Sequence, residues 1–176
     1  MADHQLALMV YVELKAAPPD PAVQGFVDRL APLFELSRAH DGFIAQSWDY
    51  TKRQLHLPPG ERDMGPWAPL DEPSFYKGPR GVGNYAAKQL SVWRDLESLR
   101  DYTYRTDHVE AIQKRREWVR EIDAPSHVLW WIEAGTIPSQ ADGCRRIEYL
   151  HEHGPTAWAF MVSKPFDPDG GPMSLR

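Results

Sequence analysis

The chain has 176 residues, 42% of them hydrophobic, with 16 prolines, seven tryptophans, a formal net charge of −5 and a pI near 5.8. That length suits one domain burying roughly 68–70% of its unfolded surface, and an acidic balance with both signs interspersed argues against a nucleic-acid surface. A single cysteine, Cys144, excludes an internal disulfide and a thiolate metal cluster. No apolar run nears the roughly 20 residues of a membrane span, and residues 1–14 lack a basic leader and a small-residue cleavage site, so the expectation is a cytoplasmic protein.

Residues 6–14 alternate in the period of a strand, with Leu6, Leu8, Val10, Val12 and Leu14 on one face and Ala7, Met9, Tyr11 and Glu13 on the other. Pro18 and Pro19 end it. Asp20-Pro21 is an N-cap with proline at the first helical position, and Val23, Phe26, Val27, Leu30, Leu33 and Phe34 follow at helical spacing. Pro32 inside that run predicts a kink or split near Leu30. Residues 42–50 read as a second strand. Residues 52–88 form a long connection with six prolines and five glycines. Its aromatic content (Trp67, Phe75, Tyr76, Tyr85) suits an ordered segment, either a lid over a site or an insertion covering a sheet face.

The stretch from Leu90 to Val109 is a strand, a helix capped by Asp95, a break, and a second helix with Asp107 as N-cap and Glu110 in capping-box spacing. His108 heads that second helix, and Ile112, Arg115, Val119 and Ile122 continue its inward stripe. Desolvation and the positive end of the helix dipole both favour a neutral imidazole there, suited to a general base or a metal ligand. Residues 127–132 give a strand whose Trp130-Trp131 pair must face opposite ways. Ser139, with Asp142 in box spacing, caps a last helix that Gly154-Pro155 ends. Residues 157–162 read as a short strand, and residues 164–176 as a loose tail outside a domain spanning 1–163.

The order β-α-β-loop-β-α-β-α-β contains the split βαβ arrangement, so the expected class is α+β: a ferredoxin-like antiparallel sheet with helices on one face and an extra C-terminal helix and strand. The helix-free face, expected to carry Tyr11, Trp48, Tyr50, Trp93 and Leu129 or Trp131, is too apolar for water. A homodimer packing two such faces together would cover it.

Ser91-Val92-Trp93, Leu96-Glu97-Ser98-Leu99, Thr106-Asp107-His108 and Arg115-Arg116-Glu117-Trp118, with Val128-Leu129-Trp130-Trp131 and His153-Gly154-Pro155-Thr156, resemble the dimeric α/β-barrel superfamily. Within it they are most similar to an uncharacterised domain-of-unknown-function family related to antibiotic-biosynthesis monooxygenases. The resemblance spans roughly residues 5–50 and 88–163. It implies cofactor-independent acid–base chemistry (cyclisation, rearrangement or monooxygenation) on an apolar aromatic or polyketide-like molecule, with His108 as general base. On that reading Tyr104, Arg105 and Tyr50 hold a developing oxyanion, and Asp49 orients His108. Trp48, Trp93, Trp131 and Tyr11 wall the pocket, and Arg115 pairs Glu13 or Asp49. The haem-degrading branch has its iron-binding histidine about one turn further on, where this chain has Ile112 or Gln113. A haem bound through His108 itself is the alternative, and a ligand-binding dimer without catalysis the third. No HExxH-type spacing joins His108, His127, His151 and His153, so no metal site is expected from those residues.

Overall fold

The computed structural model describes residues 3–57 and 61–174. Its strands are β1 (His4–Glu13), β2 (Phe43–Gln46), β3 (Ala86–Trp93) and β4 (His127–Glu133); its helices are α1 (Gln24–Arg38), α2 (Trp48–Thr51), α3 (Leu96–Arg105), α4 (His108–Lys114) and α5 (Gln140–His153). The sheet runs β2-β3-β1-β4 with every neighbouring pair antiparallel. That is the ferredoxin-like order expected from the split βαβ pattern.

Register decides which residues share a face. Leu6 stands between Trp93 and Trp131, Leu8 between Ser91 and Leu129, and Val10 between Gln89 and His127. These belong to the face under α1, α3 and α4. Ala7, Met9 and Tyr11 belong to the other, with Val92, Leu90, Val128 and Trp130. The tryptophan pair of β4 thus splits across the sheet as its period requires. Trp93, Leu129 and Trp131, however, lie on the helix side, not with Tyr11.

The helix-free face is not open. Met64, Trp67 and Tyr76 from the long connection and Cys144, Ile147 and Leu150 from α5 complete one continuous buried cluster on it. α5 approaches so closely that a Cβ on Gly143 would lie 2.6 Å from Met9 Sδ. The connection is anchored by charge: Lys88 Nζ of β3 lies 2.7 Å from Glu72 Oε1, with the two side chains only 10% and 11% exposed. Asn84 Nδ2 donates to the same carboxylate at 2.8 Å, and Tyr76 Oη donates to Asn84 Oδ1 at 2.8 Å. Of the two readings of residues 52–88, sheet cover is the one observed. The connection lies across the sheet from His108, so it is no lid over that ring. The apolar face on which the expectation of a dimer rests is covered by the chain itself.

Several local expectations change. α1 runs unbroken through Pro32, because the ring and the missing N–H are met at an exposed turn. β2 stops at Gln46, where Ser47 Oγ accepts from the Leu90 amide at 3.1 Å and the chain coils into α2. Trp48 and Tyr50 are therefore helical and lie off the sheet. α4 ends at Lys114 and tightens into a 3₁₀ turn at Arg115–Glu117; Val119 then bridges Leu14 rather than continuing a helical stripe. Asp107 makes no side-chain cap, and Thr106 Oγ1 accepts from the His108 amide at 3.3 Å instead. Asp95 and Ser139 cap α3 and α5 as expected. The segment after α5 pairs with β4 only through the Leu129–Phe160 bridge. The stretch that follows is folded rather than loose, since Trp131 Nε1 donates to the Phe166 carbonyl at 2.7 Å.

Removing one member of a buried ion pair strands the other charge in low dielectric. Lys88→Met is accordingly expected to cost about 3–5 kcal/mol, and Glu72→Gln/Lys88→Met together distinctly less. Urea unfolding of the three proteins measures this; a Lys88→Met midpoint equal to the wild type would mean the connection is held elsewhere.

Candidate functional site

The helix side of the sheet is built differently from the closed side. Its buried side chains form two separate pieces. One gathers Leu6, Trp93, Leu96, Leu99, Tyr102, Leu129 and Phe160. The other gathers Leu14, Val23 and Trp118. Between them Leu8, Val10 and Val12, on the middle strand of the sheet, stay half-buried. The helices above explain why: α1 buries only Ser37, and α4 buries no residue fully. The middle of the sheet is therefore covered less completely on this side than on the other.

Polar residues occur along this face of the sheet. Gln46, Ser91 and Gln89 share the face of Leu8 and Val10, and His127 closes the row on β4. Ser37 Oγ donates to Gln46 Oε1 at 3.0 Å, and Ser47 Oγ donates to Gln89 Oε1 at 3.1 Å. Trp93 Nε1 donates to Ser91 Oγ at 2.9 Å. His127 Nε2 accepts from the Val162 amide at 3.4 Å, which leaves its proton on Nδ1, 3.4 Å from Ser126 Oγ.

His108 stands at the start of α4 with its ring 4.9 Å from that of Tyr102, tilted by 44°. Tyr102 is itself stacked on Trp93 at 5.0 Å and fixed by donating to the Leu33 carbonyl at 3.0 Å. The imidazole is thus backed by a rigid aromatic pile. Its Nδ1 is buried and has no hydrogen-bond partner. Burial pushes the His108 pKa down from its ordinary 6.5, while the Thr103 backbone pulls it up, with the net downward. His127 is pushed down too, by burial first and then by the charge of Arg115. Chemically the site offers a half-buried imidazole, favoured neutral by burial, whose Nδ1 is enclosed and without a hydrogen-bond partner. A neutral imidazole is the form suited to proton abstraction or to single ligation of a metal; among the described residues no cluster of three or more His, Cys, Asp or Glu could hold a metal ion.

The other expected site residues divide. Trp93 and Tyr11 are fully buried on opposite faces, so Tyr11, donating to Glu13 Oε1 at 2.8 Å, belongs to the closed core. Trp48 packs on Phe34 at 4.7 Å, and Trp131 is tied down by the C-terminal segment. Tyr104 is 53% exposed, and Arg105 points into solvent paired with Asp101 at 3.0 Å. Tyr50 sits against Gly65, whose added Cβ would meet the ring at 2.4 Å. None of these three makes a hydrogen bond to His108. Asp49 is held by Arg38 and Lys52, so it does not orient His108. Arg115 pairs neither Glu13 nor Asp49 and instead lies near His127. Sequence reasoning missed Tyr102, Gln89, Ser91 and Gln46. The available signal was polar residues alternating inward along β3, a strand otherwise apolar.

Two open surface depressions lie elsewhere, one lined by Lys15, Arg116, Val119, Arg120 and Glu121, the other by Ser74, Phe75, Lys77, Glu148, His151 and Glu152. Neither includes His108. No helix among the described residues is long and apolar enough to cross a membrane.

A histidine held below its unfolded pKa binds fewer protons folded than unfolded. Stability is therefore expected to be undiminished above about pH 6.5 and to fall as the pH drops below it. Denaturant unfolding across pH 5–8 checks this, and His108→Gln should flatten part of the slope; an unaltered slope in that variant would show the ring is not held neutral.

No curated protein matches the sequence. Among solved structures, a protein of unknown function from Nitrosomonas europaea is similar at 14% identity and a TM-score of 0.42, covering 78% of this chain and 95% of that one. The PA3566 protein of Pseudomonas aeruginosa is similar at 13% identity and a TM-score of 0.41, covering 76% and 96%. A family model matches residues 5–174, nearly the whole chain, and the protein belongs to that family, the domain of unknown function DUF3291.

Proposed function

We propose that the protein is a small-molecule enzyme that binds an apolar, aromatic or polyketide-like substrate against the incompletely covered sheet residues below α1 and α4, and that His108 is its general base. One observation carries the reading: a half-buried imidazole, its pKa held down by burial, whose enclosed Nδ1 has no hydrogen-bond partner in the chain. A polar atom left unpaired in a protein interior calls for a reason, and a reactant is one. The half-buried Leu8, Val10 and Val12 provide apolar contact area, and Gln89 and Ser91 provide the few polar contacts that orient a ligand. The likeness of residues 91–93 and 106–108 to monooxygenase-like proteins supports the same role for the histidine.

The step is a proton transfer. The imidazole of His108 takes a proton from a carbon beside a carbonyl, the C–H electron pair moves into the enolate, and the imidazolium returns the proton at another atom or to solvent. Tyr102, packed against the ring and bonded to Leu33, holds it at a fixed orientation.

Exchange in deuterium oxide tests the step without knowledge of the natural substrate. With 2-tetralone as probe, the wild type is expected to accelerate loss of the α C–H proton NMR signal. His108→Ala should lower that rate by about 10²–10⁴ while the probe still perturbs tryptophan fluorescence. Equal rates for the two proteins would sink the catalytic reading and leave a ligand-binding protein. A Soret band on adding haemin, absent in His108→Ala, would assign the ring to iron instead.

A further inference from the structure

The chain after α5 returns along the outer edge of β4 and is held there at successive points. Leu129 and Phe160 exchange two backbone hydrogen bonds, at 2.8 and 2.9 Å. The Val162 amide donates to His127 Nε2 at 3.4 Å, and Trp131 Nε1 donates to the Phe166 carbonyl at 2.7 Å. Burial fixes the first point, since Ala159 and Phe160 are both fully enclosed. Val162 and Phe166 are only partly buried, and with Trp131 they pack on the margin of the cluster around Leu129. From Val162 onward the segment thus depends on two bonds to β4, and one of them has a titratable acceptor.

His127 is half-buried. Its Nε2 accepts only while it carries no proton, the ring's own proton being on Nδ1 beside Ser126 Oγ at 3.4 Å. A proton added at Nε2 would set two N–H groups face to face. Nothing around the ring rewards the added charge. Val10 opposite it on β1, Ser126 before it and Val162 beside it are uncharged, and no carboxylate among the described residues pairs with it. The charged group that bears on it is Arg115, itself a cation.

We propose that His127 is an acid-sensitive latch: protonation of Nε2 releases residues 162–172 from the edge of β4 and frees the Trp131 indole, while the rest of the fold stays closed. Burial and the Arg115 charge both lower the pKa of the latched ring. The released ring takes up its proton at about the ordinary value of 6.5, the latched ring only at lower pH. Release is therefore suppressed above about pH 6.5 and grows as the pH falls below it. With one proton taken up, the ratio of released to latched chains rises about tenfold for each pH unit in that window. Release uncovers Trp131, Val162 and Phe166 together, so acid converts a closed sheet edge into an open, apolar one.

Hydrogen exchange read by NMR on the full chain, from pH 7.5 down to pH 5, tests the latch, each rate being divided by that of an unfolded chain at the same pH. Protection of the Val162 amide and of the Trp131 indole is expected to fall together, by about tenfold per pH unit below 6.5, while the β1 amides keep theirs. His127→Gln, which keeps an acceptor that takes up no proton, should hold both signals protected at pH 5. His127→Ala, which has no acceptor, should leave them weakly protected at every pH. His108→Gln should leave the wild-type dependence intact. Constant protection in the wild type overturns the latch, as does a pH dependence that persists in either His127 variant. Loss of β1 protection in step with Val162 would mean that the whole fold opens, which overturns it too.

Discussion

The central strand β1 must bury two faces at once, and the rest of the architecture follows from how each is covered. Alternation sends Ala7, Met9 and Tyr11 one way and Leu6, Leu8 and Val10 the other. A ferredoxin-like unit supplies helices for one face only. Leaving the second in water would expose a contiguous apolar patch including Met9, Val92, Val128 and Trp130. The chain meets that requirement with its own material, the connection between α2 and β3 and the added helix α5. The Lys88–Glu72 pair fixes the connection, and the Gly143–Met9 approach seats the helix.

The two faces are finished to different standards, and the difference locates the candidate site. The side covered by the connection is continuous and carries the larger share of fully buried side chains. The helix side is divided, with bulky residues packed at its two ends and smaller or polar ones between. Half-burial at Leu8, Val10 and Val12 forgoes contact that the middle strand would otherwise make, and regions that give up packing in this way are commonly those that bind. On this side His108 packs against Tyr102, which is itself stacked on Trp93.

Much of this was legible beforehand. Strands β1, β3 and β4 follow from period-2 patterning, and the caps of α3 and α5 from Asp95 and Ser139. The inward placement of His108 follows from its position on α4. The family resemblance puts Tyr50, Asp49, Tyr104 and Arg105 at the site. The folded chain commits Asp49 to Arg38, Arg105 to Asp101 and Tyr50 to the approach of Gly65, and leaves Tyr104 exposed. The Arg105–Asp101 pair has helical i, i+4 spacing and is legible locally, whereas the Asp49 and Tyr50 contacts join separate elements, which no local pattern records.

The amino-acid order by itself determined the α+β class, the identity of most elements, and the division of Trp130 and Trp131 between two faces, because these depend on periodicity and on hydrogen bonds within a few residues. Only the tertiary structure decided which face each neighbouring strand presented, where β2 and α4 stop, and that residues 61–85 cover the sheet opposite the histidine. Register and the packing of a long connection are settled by contacts across the whole molecule. Two strands that alternate identically have either face available until a third element occupies one.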